Sequence, residues 1–242
     1  NLPGRQQEIL ELAVNSGKPV VLILLSGSAL AVNWAEKHVP AIIQGWYPGA
    51  EGGRILAETL FGDINPEGHL PVTFYKGTEE LPAFTDYAME GRTYRYMKQD
   101  ALYPFGYGLS YTTYAYSNLT VRGEQVGEDG TDITVTVKNT GKRTGTETVQ
   151  VYIKIEKEDT PNAQLKAIRK VTLRPGEEKE VSIHLAKDAF GLCDKEGNFR
   201  TCKGEAKVYV GGQAPDRRSE ELTGVKVQSV TLRTEDELLW EN

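Results

Sequence analysis

The pattern of hydrophobic and polar residues divides the chain into two parts of different character. In the first part, continuous apolar runs such as VVLILL alternate with segments whose apolar residues recur at helical spacing. Beyond about residue 112, apolar and polar residues alternate one by one, which is typical of half-buried strands. The charged residues follow the same division, with about 20 before residue 113 and about 42 after it. The pattern therefore predicts an α/β part followed by an all-β part.

The hydrophobic pattern of the first part predicts alternating helices and buried strands. An apolar face formed by Ile9, Leu10 and Leu12 predicts the first helix, and the continuous runs predict strands buried on both faces of a parallel sheet. The predicted order is helix (RQQEILELAVNSG), strand (VVLILLSG), helix (ALAVNWAEKHV), strand (AIIQGWY), helix (RILAETLFG) and an extended strand (LPVTF). Pro71 within this last strand suits a sheet edge or the beginning of a strand.

The second part predicts a β-sandwich. Five segments alternate with period two and are separated by turns such as NTGKRTG: DITVTVKN, ETVQVYIKI, LKAIRKVTL, KEVSIHL and EAKVYVGG. About seven short strands at this spacing predict a sandwich of the immunoglobulin or fibronectin III type.

The segment that joins the parts, GRTYRYMKQDALYPFGYGLSY from Gly91 to Tyr111, is unusually aromatic. Aromatic side chains at this density bury large areas and need a surface to pack on. We therefore interpret it as an ordered inter-domain clasp whose rings, Tyr94, Tyr96, Phe105 and Tyr107, are largely buried.

These motifs carry a family resemblance. GRTYRY followed by LYPFGYGLSYT resembles the domain junction of family 3 glycoside hydrolases, and QLKAIRKVTLRPGEEKEVSIHL resembles the fibronectin type III-like domain that ends many of them. The resemblance implies the C-terminal portion of an α/β sandwich domain over residues 1–85, the aromatic clasp over 86–112, and a fibronectin type III-like sandwich over 113–242.

The resemblance also implies where the chemistry lies. The nucleophile of such enzymes is an Asp on a preceding (β/α)₈ barrel, and the acid/base is a Glu in the sandwich domain, so both are expected upstream of Asn1. We expect this chain alone to be inactive. Two strands and their helices would expose a broad apolar face. The expected partners are therefore the upstream barrel and the remainder of the sandwich, in the same or a separate chain, together with an oligosaccharide substrate.

Two residues at the predicted strand ends are candidates for substrate binding. Functional loops gather at the carboxyl ends of parallel strands, here Ser26–Ser28 and Trp46–Glu51. Trp46 could line a sugar cleft because aromatic faces suit the C–H face of a pyranose, although a core role is the simpler interpretation. Glu51 precedes a helix, where its carboxylate could instead interact favourably with the helix N-terminus.

Composition excludes several other classes of function. A net charge of −6 and a pI of about 5.3 argue against a nucleic-acid binder. No apolar run approaches the length that spans a bilayer. The three histidines are scattered, so neither a metal site nor a cofactor is predicted. Cys193 and Cys202 favour free thiols in the cytoplasm, and a cross-strand disulfide in a secreted protein is the alternative.

Within the family, SGSALAVNWA, WYPGAEGG and LPAFTDYAMEGRTYRY are most similar to β-xylosidases of xylan degradation. The expected function is thus the C-terminal region of a retaining exo-β-glycosidase acting on xylo-oligosaccharides. A β-glucosidase and a non-catalytic carbohydrate- or protein-binding module are the alternatives. A binding module would favour a row of exposed aromatic residues, whereas Tyr152, Phe199 and Tyr209 lie in strand patterns that predict core.

Overall fold

A computed structural model describes residues 1–194 and 196–240. The chain forms two compact units, and it passes between them three times. The first unit comprises Asn1–Asn65 and Pro71–Phe105, and the second comprises Pro66–Leu70 and Gly106–Asn242. The domain boundaries expected from the resemblance remain predictions.

The first unit is an α/β layer around two parallel strands. The first strand pairs with the second in parallel, with Val21 opposite Ala41 and Leu24 opposite Gln44. The predicted order of three helices and two buried strands is confirmed from α1 to α3. Its elements are α1 (Gln6–Asn15), β1 (Val21–Leu24), α2 (Asn33–His38), β2 (Ala41–Gln44), α3 (Gly52–Phe61), a 3₁₀ turn (Thr78–Glu80) and the single-turn α4 (Thr93–Tyr96).

The prediction of a strand over residues 70–74 is wrong. Only Phe74 forms a β-bridge there, with Tyr103, through a hydrogen bond of 2.9 Å from the amide of Phe74 to the carbonyl of Tyr103. Pro71 lacks an amide hydrogen and cannot donate to a ladder. Leu70, immediately before it, belongs to the second unit, whereas residues 71–74 belong to the first.

The two strands of the first unit are less buried than the apolar runs predict. Leu24 is buried, but Val21 and Leu25 are 42% and 57% exposed. A sheet of two strands leaves both outer edges and much of each face without neighbours. Among the described residues, fourteen of the twenty large hydrophobic side chains that are exposed lie in this unit. Exposed apolar side chains are therefore concentrated in the first unit.

The second unit is a β-sandwich, as predicted, and all five alternating segments form strands. One sheet has the strand order β11-β10-β5-β6 and the other β3-β4-β7, with a small third sheet of order β12-β9-β8. The strands are β3 (Tyr114–Val121), β4 (Thr131–Asn139), β5 (Gly145–Ile155), β6 (Gln164–Leu173), β7 (Glu178–Leu185), β8 (Leu192–Cys193), β9 (Phe199–Thr201), β10 (Gly204–Gly211), β11 (Gln228–Thr234) and β12 (Glu237–Trp240).

The core of the second unit lies between its two larger sheets. Val135 and Val137 of β4 contribute to one hydrophobic cluster with Val149 and Val151 of β5 and Val208 of β10. Each of these side chains is at most 1% exposed. One helix, α5 (Arg217–Thr223), begins where Asp216 accepts a hydrogen bond of 2.8 Å from the amide of Ser219.

A short segment from between the elements of the first unit completes the second unit. In this strap, Pro66–Leu70, the amide of Leu70 donates to the carbonyl of Tyr107, and the amide of Gly106 donates to the carbonyl of Leu70, both at 2.8 Å. The Glu67 carboxylate accepts a hydrogen bond of 3.1 Å from the amide of Thr146. The strap is thus hydrogen-bonded through Glu67 to β5 and through Leu70 to the end of the aromatic segment.

The two cysteines do not face each other. Cys193 pairs with Phe199, and Cys202 lies three residues farther along, so the two are offset by about 10 Å along the strand. This exceeds the Cα separation of about 7 Å beyond which a disulfide requires backbone movement. Both cysteines are free thiols.

Candidate functional site

The carboxyl ends of β1 and β2 lie side by side, as their parallel pairing requires. The Gln44 side-chain amide lies 3.3 Å from the Ser26 hydroxyl and 3.4 Å from its carbonyl oxygen. The Ser26 hydroxyl donates to the carbonyl of Ser28 at 2.8 Å. These contacts fix the loop after β1 against the end of β2, which forms the candidate strand-end site.

Trp46 lies at this site in a conformation that is unusual for its residue type. Its φ of 51° is in the left-handed region, which stores roughly 1–3 kcal/mol of strain in a residue other than glycine. The indole is half-buried and meets the Phe74 ring edge-on, with centroids 6.2 Å apart. Packing on Phe74 holds the strained backbone, and the other part of the indole remains accessible at the strand ends.

The neighbouring residue, Tyr47, projects into solvent and is 79% exposed. Its ring lies over Gly27, where a Cβ atom would come within 2.7 Å of the tyrosine Cε2. Glycine at position 27 therefore permits the close approach of the two loops. Tyr47 was not among the predicted site residues, although its place directly after Trp46 at a strand end was a usable signal.

Glu51 lies at the N-terminal end of α3 but makes no side-chain capping hydrogen bond. Its carboxylate instead pairs with the Arg54 guanidinium at 2.7 Å, and Glu58 pairs with the same guanidinium at 2.7 Å. These hydrogen bonds raise the pKa of Arg54. Glu51 is exposed and lies five residues after Trp46 in the sequence.

A second polar cluster, which the sequence analysis missed, is buried in the sandwich. The Tyr116 hydroxyl of β3 donates to the Glu147 carboxylate of β5 at 2.6 Å, which joins the two larger sheets. Burial raises the pKa of Glu147 to about 7, against the opposing effect of hydrogen bonds from Tyr116 and the backbone of Thr148. Burial and Glu147 together raise the pKa of Tyr116 well above its usual range.

The same region contains His69 of the strap. Burial lowers the pKa of His69, and hydrogen bonds to the backbone of Glu67 and Gly212 oppose that effect. Gly212 lies beside Glu147, since a Cβ atom there would be 2.2 Å from the carboxylate. The strap and the end of β10 thus enclose the Glu147 carboxyl.

The four rings of the predicted aromatic clasp are all half-buried. Tyr94 and Phe105 stack with centroids 4.1 Å apart, yet both are half-buried, as are Tyr96 and Tyr107. All four rings are thus partly buried, and their burial between the two parts of the chain stays a prediction. Stacking one ring on another covers one face of each and leaves the second face partly accessible.

The core predicted for three aromatic residues of the sandwich holds for one of them. Tyr152 is 1% exposed, whereas Phe199 and Tyr209 are half-buried. Phe199 stacks instead on Trp240, which is 51% exposed. Among the residues that the structure describes, no group of three His, Cys, Asp or Glu side chains could hold a metal ion. No helix in the same described ranges is long and apolar enough to cross a membrane.

Comparison with known proteins matches both units. Residues 1–111 match the glycosyl hydrolase family 3 C-terminal domain, and residues 147–214 match a fibronectin type III-like domain. A xylan 1,4-β-xylosidase of Xylanibacter ruminicola is 40% identical over 92% of this chain and 26% of its own length. A β-glucosidase of Bacteroides ovatus is 36% identical over 90% of this chain and 32% of its own length.

Solved structures agree with these matches. β-Glucosidase 3B from Thermotoga neapolitana, in complex with α-D-glucose, superposes with a TM-score of 0.86 at 30% identity, over 99% of this chain and 35% of that one. The chain thus spans about a third or less of the length of these relatives.

Proposed function

Since the chain belongs to family 3 of the glycoside hydrolases, as the C-terminal region of its β-xylosidases and β-glucosidases, we propose that it works within a longer retaining exo-β-xylosidase. The proposed substrates are xylo-oligosaccharides, from which a terminal β-linked xylose is released. The observation that carries this choice is the 40% identity to a xylan 1,4-β-xylosidase, compared with 36% to a β-glucosidase, each over at least 90% of this chain.

The proposed contribution of the first unit is to complete an α/β sandwich. Retaining hydrolysis requires a nucleophile and an acid/base about 5–5.5 Å apart. We assign both carboxyl groups to the region that precedes Asn1, on a (β/α)₈ barrel and the remainder of the sandwich. The exposed apolar surface of the first unit supports such a partner, because contiguous apolar surface in soluble proteins usually marks an interaction site.

Trp46 and Glu51 are the substrate-binding candidates within this chain. The strained backbone of Trp46 supports a role for it, since strain of this kind concentrates at functional sites. A half-accessible indole can stack on the C–H face of a pyranose, and a carboxylate beside it can accept hydrogen bonds from sugar hydroxyls. The ion pair with Arg54, at 2.7 Å, would orient the Glu51 carboxylate.

The test compares kcat/KM for aryl β-xyloside and aryl β-glucoside in the intact enzyme that carries this chain. We expect the xyloside to be favoured. A tenfold preference for the glucoside, about 1.4 kcal/mol in transition-state binding, would refute the xylosidase assignment. The isolated chain is the matched control and should hydrolyse neither substrate above the rate in buffer. Hydrolysis by the isolated chain would show that the catalytic carboxyl groups lie within it.

A further inference from the structure

The small third sheet of the second unit presents an aromatic pair on one face. Paired residues of antiparallel strands project to the same face. Trp240 pairs with Phe199, and Glu237 pairs with Thr201, so these four side chains share a face. The indole of Trp240 stacks on the Phe199 ring with centroids 5.6 Å apart and planes inclined by 24°. Trp240 is 51% exposed, so one face of a large, fixed ring system is open to solvent.

A polar cavity continues from the same face. Thr201 lies two residues from Phe199, or about 7 Å along the strand. Together with Glu237 it lines a cavity of about 380 Å³, which is within the range of about 300–1,000 Å³ for small-molecule sites. Gln125, Glu128, Lys187 and Glu235 also line it.

The charges of the lining select the class of ligand. Glu128, Glu235 and Glu237 provide three carboxyl groups to the lining. Lys187 forms an ion pair with Glu237 and Lys203 with Glu235, so the carboxyl groups outnumber the ammonium groups. This balance disfavours phosphate and other anions. Carboxylates and the Gln125 amide accept hydrogen bonds from hydroxyl groups, and an open indole suits the apolar face of a sugar ring. A neutral saccharide satisfies both halves of this surface.

We propose that Trp240, Phe199 and the adjoining cavity form a binding site for neutral oligosaccharides. A sugar ring would stack on Trp240 while the next ring places its hydroxyls against Glu237 and Glu128. The choice of β-1,4-linked xylose units rests on the proposed function. Recognition through the ring face and hydroxyl groups itself requires only a neutral pyranose chain.

Titration of the full 242-residue chain with xylotetraose and with cellotetraose tests the site. The chain contains three tryptophans, Trp34, Trp46 and Trp240, whose indole N–H signals can be assigned with single Trp→Phe variants. We expect the Trp240 signal to shift in a saturable way with a Kd of about 1 mM, an affinity near −4 kcal/mol. No shift of this signal at sugar concentrations of about 10 mM would overturn the proposal.

Single substitutions, with a matched control, show which side chains contribute to sugar binding. Trp240→Ala and Glu128→Ala should each weaken binding at least about fivefold, roughly the loss of one sugar-ring stack or one charged hydrogen bond. Tyr87→Ala is the matched control, because Tyr87 is an exposed aromatic residue at 88% that lies in the first unit. Equal loss in the control, or wild-type affinity in Trp240→Ala with unchanged circular dichroism, would contradict the site.

The test of this binding site does not depend on whether the intact enzyme prefers xylosides or glucosides. Binding of either tetrasaccharide at Trp240 supports the site, even where the kinetic test shows the intact enzyme to be a glucosidase. Conversely, a xylosidase whose Trp240 signal is insensitive to both sugars retains the proposed function and loses this site.

Discussion

At the residue scale, Glu147 shows how one side chain can depart from the pattern of its strand. The segment ETVQVYIKI places Glu147 in register with Val149, Val151 and Ile153, on the face that packs in the core. The structure buries it to 7% exposure and provides Tyr116 as a hydrogen-bond donor. The position of an acidic residue among core-facing valines could therefore have predicted a buried carboxyl group. Its partner comes from β3, 31 residues away, and could not be identified from the local pattern.

Burial of Glu147 should make the sandwich less stable as pH rises. The folded-state pKa of about 7 lies above the unfolded value of about 4.3, so only the folded state keeps the proton between these pH values. The free energy of unfolding should thus fall by about 3 kcal/mol from pH 4.5 to pH 7.5. Glu147→Gln removes this contribution, and urea denaturation at several pH values should show a flatter profile. Glu205→Gln, an exposed position on β10, should retain the wild-type profile. Parallel profiles for wild type and Glu147→Gln would contradict the assignment.

Gly108 should be intolerant of a side chain. A Cβ atom at this position would lie 2.2 Å from the carbonyl oxygen of Gly68 in the strap, and a backbone atom cannot move aside as a side chain can. We expect Gly108→Ala to destabilise the protein by about 1–3 kcal/mol, as overpacking does. Gly68→Ala is the control, since its Cβ atom would meet nothing within 4 Å. Thermal melts that fall equally for both variants would argue against this close approach.

Sequence periodicity predicted the positions of the helices and strands well but their burial poorly. The helices α1 and α3 and all five alternating strands formed where the pattern placed them, because local periodicity suffices to define such elements. β1 was predicted to be buried on both faces but is only partly buried. Burial depends on neighbouring strands, which the local sequence does not specify. The site candidates were only partly predictable for the same reason. The loop ends at Ser26 and Trp46 followed from topology, whereas the Tyr116–Glu147 pair required the packing of two sheets.

The exposed apolar face of α1 should serve association rather than folding. Ile9 is 64% exposed in the first unit, and Ile168 of β6 is 58% exposed in the second. Ile9→Glu and Ile168→Glu should each leave the unfolding free energy of this chain within about 0.5 kcal/mol of wild type. In the intact enzyme, Ile9→Glu alone should lower the melting temperature and specific activity, because it places a charge in the proposed interface. An intact enzyme with Ile9→Glu that melts and turns over like wild type would remove α1 from that interface.

At the scale of the whole molecule, the feature that no local pattern predicted is the strap. Its sequence, PEGHL, reads as a turn, and the predicted strand after it extended across Leu70 and Pro71. The chain instead leaves the first unit for five residues and then returns. Within the second unit, Glu67 is hydrogen-bonded to β5 and Leu70 to Gly106 and Tyr107. Family resemblance correctly predicted both folds in order, but a linear division into consecutive domains has no place for such a segment.

Dissection of the chain tests the contribution of the strap. A fragment of residues 106–242 lacks the Glu67 carboxylate and the two backbone hydrogen bonds of Leu70. We expect it to melt below the second unit of the full chain. A synthetic peptide of residues 64–72 should raise that melting temperature in a concentration-dependent manner, as a ligand of the folded state does. The same peptide with Glu67→Ala should act more weakly. A fragment that is as stable as the intact unit and insensitive to the peptide would show that the strap is dispensable.

The three passages of the chain between its units also have a consequence for how such proteins can recombine. Exchange of gene segments usually moves one continuous stretch of coding sequence from one protein to another. A crossover near residue 106 would transfer β3 to β12 but leave Pro66–Leu70 in the donor, so the recipient would combine a sandwich with the strap of another lineage. Glu67, Gly68 and Gly108 must fit one another across that junction. The fibronectin type III-like part should therefore be inherited together with the α/β part that precedes it, and chimeras joined at this boundary should require a matching strap.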